Sequence, residues 1–145
     1  MSTNYYLSIN PQEFEYALGV PCNHGITDDY ASLHIGLSAG GWCFQMRIYP
    51  EYNINTLEDW KKLIYNPSNS VKIFNEYGDS FTRDGMMSVI TERDIYTTNH
   101  KYNEEDLRMN NAIIGPNNLL RSKIDGVDCV GHGEGSWDYI ARPFC

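Results

Sequence analysis

Short stretches in which apolar and polar residues alternate predict strands, and stretches with apolar residues three and four apart predict helices. Tyr5 to Ile9 reads as a strand that stops at Asn10-Pro11, and Gln12 to Leu18 as one or two helical turns ending at Gly19. Ser32 to Leu37 reads as a second strand, followed by the glycine-rich turn Gly36-Leu37-Ser38-Ala39-Gly40-Gly41. From Trp42 to Tyr49 the alternation is regular. Trp42, Phe44, Met46 and Ile48 point one way, and Cys43, Gln45, Arg47 and Tyr49 the other. The two strands and their turn predict a β-hairpin, with glycine supplying positive φ. Thr56 is placed to cap a helix, with Asp59 three residues on and Leu57, Trp60, Leu63 and Ile64 on one face. That helix should end near Tyr65, before Asn66-Pro67. Val71 to Phe74 predicts a strand, and Tyr77-Gly78-Asp79 a turn. Thr82 caps a further helix, with Met86, Met87 and Ile90 facing inward.

The stretch 94–126 is rich in Asn, Asp, Glu and Lys and reads as a long polar surface excursion, with a helical turn or two at Glu104 to Asn110 and a turn at Gly115-Pro116-Asn117-Asn118. Val127 to Val130 reads as the final strand, and His132 to Asp138 as a loop behind it. Strands and helices mix without a regular βαβ period. The expected fold is therefore α+β, a small and mainly antiparallel sheet with two or three helices, in one domain over 1–145. A chain of 145 residues is long enough for one core.

Composition narrows the partners. Nineteen acids against 11 bases give a formal net charge of -8, which argues against direct nucleic-acid binding. Residues 1–55 hold five acids (Glu13, Glu15, Asp28, Asp29 and Glu51) and one base, Arg47, a balance that would suit a basic partner protein as well as a plain solvated surface. Eleven tyrosines are many for this length, and tyrosine is frequent at interfaces. No apolar run has the ~20 residues of a membrane span, and the first ten residues do not read as a secretory signal. The expected compartment is a reducing cytosol, where Cys22, Cys43, Cys129 and Cys145 would be thiols or metal ligands.

Three constellations could carry chemistry. Cys22 and His24, then His34, with Cys129 and His132 near the other end, supply the ligand types of a zinc site, and one zinc ion is the cofactor they would suit. No Cys-x-x-Cys pair is present, and the plainer account is buried thiols beside hydrogen-bonded histidines. The glycine-rich turn with its flanks (His34, Gly36, Ser38, Gly40, Gly41 and Trp42) could cradle an anion in backbone N–H groups. It lacks the Gly-Lys-Ser/Thr ending of a phosphate loop, so a hairpin turn is the simpler account. In His132-Gly133-Glu134-Gly135-Ser136-Trp137-Asp138, the side chains His132, Glu134 and Asp138 could serve acid–base catalysis, with Trp137 against a ligand. Ser136 has no nucleophile-elbow context.

The stretches His34 to Phe44 and His132 to Asp138 occur together, behind the start Asn4-Tyr5-Tyr6-Leu7 and with a Glu76-Tyr77-Gly78 turn between them. In this the chain resembles an uncharacterised family of small bacteriophage and prophage proteins over most of its length, least so in 94–126. The resemblance implies a phage source and no particular activity. The family's lysine is Leu37 here, and its Cys-x-x-Cys is Cys22-Asn23-His24-Gly25, where His24 could stand for the second thiolate. Three expectations follow. The first is an accessory protein that binds and modulates a host factor in the host cytoplasm, in one version an anti-defence protein. The second is a binder or hydrolase of a small nucleotide-like ligand, using the His34 and His132–Asp138 loops. The third is a virion accessory protein.

Overall fold

The alternation in the first strand sets the plan of the molecule. Tyr5, Leu7 and Ile9 turn one way into the core, while Asn4, Tyr6 and Ser8 turn to the opposite face. The computed structural model describes residues 2–23, 30–94 and 101–143. Nine strands occur among them: β1 (Ser2–Ile9), β2 (Ala31–Ala39), β3 (Phe44–Arg47), β4 (Lys72–Asn75), β5 (Ser80–Phe81), β6 (Ala112–Ile114), β7 (Leu120–Ser122), β8 (Cys129–His132) and β9 (Trp137–Ile140). Seven form one sheet in the order β5-β4-β1-β2-β3-β9-β8, and β6 and β7 form a separate hairpin. All pairings in the large sheet are antiparallel except β3 with β9. The fold is α+β.

Helices α1 (Pro11–Leu18), α2 (Leu57–Ile64) and α3 (Arg83–Thr91) send Phe14, Leu18, Trp60, Leu63, Ile64, Met86 and Ile90 into one cluster with Leu7, Ile9, Leu33, Phe44 and Met46. They therefore cover one face of the sheet. The chain supplies their caps. The Asn10 side chain accepts from the amides of Gln12 and Glu13, Pro11 opens α1, and Gly19 closes it in the left-handed region. Thr56 and Asp59 form a reciprocal capping box on α2. Trp60 anchors α2, fully buried, its indole N–H donating to the Arg47 carbonyl at 2.8 Å. A side chain of this kind contributes roughly 1.5–3 kcal/mol through burial. No helix among the described residues is long and apolar enough to cross a membrane.

The structure differs from the sequence reading at the C-terminal end. The strand expected over 42–49 is regular only from Phe44 to Arg47; Trp42 instead makes a single bridge to Leu120, and Tyr49 one to Ile54. Val130 is not in the last strand, because β9 follows it and takes Trp137 and Asp138 out of the expected loop. The polar stretch 94–126 is no mere excursion. It holds a fourth helix, α4 (Glu104–Met109), and the β6–β7 hairpin, with Ala112, Leu119 and Arg121 buried. The helix lies where a helical turn or two was expected, at Glu104 to Asn110, whereas sparse apolar residues hid the hairpin, since its principal anchor is a charge.

Gly36 shows why part of the glycine-rich segment is as it is. A β-carbon there would overlap the Gln45 carbonyl oxygen and the Phe44 ring, so only glycine lets β3 close onto β2. At Gly40 nothing lies within 4 Å of the same position. Gly36→Ala should therefore lower stability by about 2 kcal/mol or more, and Gly40→Ala should leave it nearly unchanged, as read from urea unfolding midpoints.

Candidate functional site

The glycine-rich turn faces a cation that the sequence reading missed. The Arg93 guanidinium donates to the Ser38 hydroxyl at 2.6 Å, the Ala39 carbonyl at 2.7 Å and the Trp42 carbonyl at 3.0 Å. The turn thus offers carbonyl oxygens inward and satisfies them with an arginine of its own chain. That polarity is the reverse of an anion-binding nest, which needs converging N–H groups. Gly41, at φ 80°, makes the left-handed step of the turn. Burial holds the Arg93 guanidinium below its usual pKa, and it remains a cation at any ordinary pH.

His34 lies on the sheet face away from the three helices, paired with Tyr6 across β1 and β2. It is 8% exposed, stacks on the Tyr6 ring at 5.0 Å, and its Nε2 shares a 2.9 Å hydrogen bond with the Asn4 side-chain oxygen. Glu76 in turn accepts from the Asn4 backbone amide at 2.9 Å and from its side-chain amide at 3.3 Å. Burial, assisted by the Arg47 charge, pulls the His34 pKa down to about 4. The imidazole is neutral at pH 7 and sits inside a packed network.

The second motif is built round Asp138. Its side chain is fully buried and accepts from Arg121 Nε at 2.8 Å and from the Ser122 amide at 3.2 Å. Arg121 also donates to the carbonyls of Gly135 and Trp137 at 3.0 and 3.1 Å. His132 Nε2 lies 2.8 Å from the Ser122 carbonyl and 3.9 Å from the Asp138 carboxylate. Burial drives the Asp138 carboxyl upward in pKa, while Arg121 and the Ser122 amide pull it back toward the ionised form. Glu134 is exposed at the tip of the turn, and Ser136 is buried with its hydroxyl directed at the Thr91 carbonyl. The motif's glycines have a packing reason, because a β-carbon on Gly133 or Gly135 would overlap the Trp137 indole. Trp137 donates to the Tyr139 hydroxyl at 3.1 Å and packs against the helix-side core.

The sheet register decides whether the two motifs meet. Asn4, Leu37, Gln45, Asp138 and His132 form one row across five strands. His34 sits on β2, at the Asn4 end of the row, and His132 ends it on β8. Three strand spacings separate the two histidine strands, roughly 14 Å. The histidines share a face of the sheet, yet they are too far apart to act on one reacting atom.

The metal candidates are likewise dispersed. Cys22 is buried in the helix-side core, and Cys129 is buried on β8 beside the Arg121–Asp138 pair. Burial raises the Cys129 thiol pKa and, with the Asp138 charge second, pushes Cys43 up to about 11. Among the described residues no group of three or more His, Cys, Asp or Glu side chains is disposed to hold a metal ion. His24, Asp28, Asp29 and Cys145 lie outside the described residues.

Arg93 and Arg121 are the functional-looking cations that the sequence reading passed over. Neither belongs to a motif, and each acts on a segment far from it in sequence. Comparison with protein families, with curated proteins and with solved structures finds no match.

Two outcomes test the electrostatics. Arg121→Met alone strands a buried carboxylate and should cost ~3–5 kcal/mol, whereas Arg121→Met combined with Asp138→Leu should recover most of that loss, as a thermal double-mutant cycle would show. His34 has a folded pKa of about 4, below the 6.5 of a free imidazole, so the unfolded chain binds its proton first. Its contribution is full above pH ~6.5 and is lost as pH falls toward 4, by roughly 3 kcal/mol. His34→Gln should remove that share of the acid sensitivity, seen by comparing unfolding curves of the two proteins from pH 7 to pH 4.

Proposed function

We propose that this chain is a phage or prophage accessory protein that acts by binding a host protein in the host cytoplasm and modulating it, with a defence factor as one such target. The reading is carried by where the apolar surface lies. Among the described residues every exposed large aliphatic side chain (Met109, Ile113, Ile114, Ile124, Val127 and Val130) falls between 109 and 130. The other exposed large apolar side chains are the tyrosines Tyr16, Tyr30, Tyr65 and Tyr77. Single apolar residues are ordinary on a surface, and contiguous apolar patches are a feature of interaction sites; these six side chains come from α4, β6 and the segment running into β8. The acidic balance favours a basic partner.

The catalytic side chains that a hydrolase would need are engaged elsewhere. Asp138 neutralises Arg121, His132 is tied to the Ser122 carbonyl, and Ser136 is buried. The ligand-binding alternative is supported by a hollow of about 570 Å³ beneath the glycine-rich turn, lined by Tyr5, Ser38, Gly41, Glu92 and Arg93.

Native mass spectrometry of protein purified from phage-infected or prophage-bearing cells separates these readings. A stoichiometric complex with one cellular protein is expected, and it should survive His132→Ala combined with Glu134→Ala. Recovery of the bare chain, or of the chain with a small organic mass or one zinc ion in place of a partner protein, would count against the proposal.

A further inference from the structure

We infer that the hollow beneath the glycine-rich turn is a site for a small amino-carboxylate, a molecule with a carboxylate at one end and a protonated amine at the other. The inference goes beyond the binding-protein reading and does not rest on it. The hollow measures about 570 Å³, within the range of small-molecule sites. It lies between the turn and the last residues of α3, with Tyr5 of β1 also lining it. The exposed aliphatic side chains of 109–130 take no part in it.

Three donors line the hollow without an acceptor. The Tyr5 ring packs against Phe44 and Phe81, at 6.1 and 5.3 Å between centroids, and the residue is only 8% exposed. Its hydroxyl has no hydrogen-bond partner among the described residues. Nor is that oxygen sealed in, since Arg47 Nε is the one fully buried side-chain N or O atom there that lacks a partner; the Tyr5 hydroxyl therefore meets the hollow. Burial raises its pKa while the Arg93 charge draws it back, so it is a proton donor at neutral pH. Arg93 spends Nε on the Trp42 carbonyl, Nη2 on the carbonyls of Ala39 and Trp42, and one N–H of Nη1 on the Ser38 hydroxyl. The guanidinium carries one more N–H than this, on Nη1. The Ser38 hydroxyl accepts from Arg93 and keeps its own proton to donate.

Charge narrows the ligand further. Among the described residues no carboxylate pairs with Arg93, whose partners are all neutral. A half-buried cation beside two hydroxyl donors calls for an oxyanion, and a carboxylate has lone pairs enough for all three. Glu92 and Asp94 line the same hollow and are exposed, which puts negative charge toward its mouth. They would repel the double charge of a phosphate monoester and attract an ammonium group. Val89, half-buried, supplies an apolar wall between the two. A cation within and acids at the rim match a zwitterion end to end.

Isothermal titration of the full-length protein with the standard amino acids, β-alanine, acetate, inorganic phosphate and AMP tests this. At least one amino-carboxylate should bind with a Kd of about 1 mM or tighter. Its N-acetyl derivative, and acetate, should bind roughly tenfold more weakly or worse. Tyr5→Phe keeps the packed ring and removes only the hydroxyl. It should lower affinity about tenfold while leaving the melting temperature unchanged, because that hydroxyl has no partner in the unliganded fold. Glu92→Gln should weaken the amino-carboxylate several-fold and leave acetate unaffected; as an exposed position it carries the test should Tyr5→Phe not fold. Absence of binding across the panel overturns the inference. So does equal affinity in the parent protein and both variants, or acetate, phosphate or AMP binding as tightly as the best amino-carboxylate. None of these outcomes bears on the partner complex sought by native mass spectrometry, so the two readings fail separately.

Discussion

A carboxylate with no access to solvent is the constraint round which the C-terminal third of the molecule is arranged. Asp138 stands on β9, and an ion of that kind is costly to bury unless its charge and lone pairs are answered. Arg121 answers the charge, and the Ser122 amide takes the second oxygen. Both come from β7, so satisfying Asp138 also fixes the β6–β7 hairpin over the large sheet. Arg121 further holds the carbonyls of Gly135 and Trp137, which sets the approach to β9. One pair thus positions a hairpin, a turn and a strand.

Arg93 plays a similar part just before β3. It gathers the carbonyls of Ala39 and Trp42 in the turn between β2 and β3, and its own carbonyl accepts from Asn117 of the segment before β7 at 2.8 Å. The two arginines explain how a chain with few apolar residues in 94–126 still forms an ordered layer there. Hydrogen-bonded guanidinium groups take the place of much of the greasy contact that the helix-covered face enjoys.

What could be read from the sequence follows this division. The helix-covered half is periodic, so β1, α1, α2 and α3 were legible from Leu7, Phe14, Trp60 and Met86 with their neighbours, and the capping residues Thr56 and Thr82 marked the starts of their helices. In the other half α4 and part of β8 were legible, at Glu104 to Asn110 and Val127 to Val130, but the β6–β7 hairpin and β9 were not, because the pairing of Arg121 with Asp138 appears only when β7 is laid across β9. The motif glycines were legible as special positions but not in their reason. Gly36 admits a neighbouring backbone, and Gly133 and Gly135 admit an indole. The separation of His34 from His132 could not be foreseen, since it depends on β9 inserting between β3 and β8.

That insertion has a consequence during synthesis on the ribosome. β3 acquires its second neighbour from residues made long after it, Phe44 pairing with Trp137 and Met46 with Tyr139. Strands β1 to β5 and the three helices can assemble beforehand, because all lie within the first 91 residues. Until the C-terminal segment emerges, that early sheet presents β3 as an open edge, with Phe44 and Met46 beside it. A nascent chain stalled before β9 is complete therefore carries a strand-pairing surface that the finished protein lacks, and chaperone demand should peak over that interval of translation.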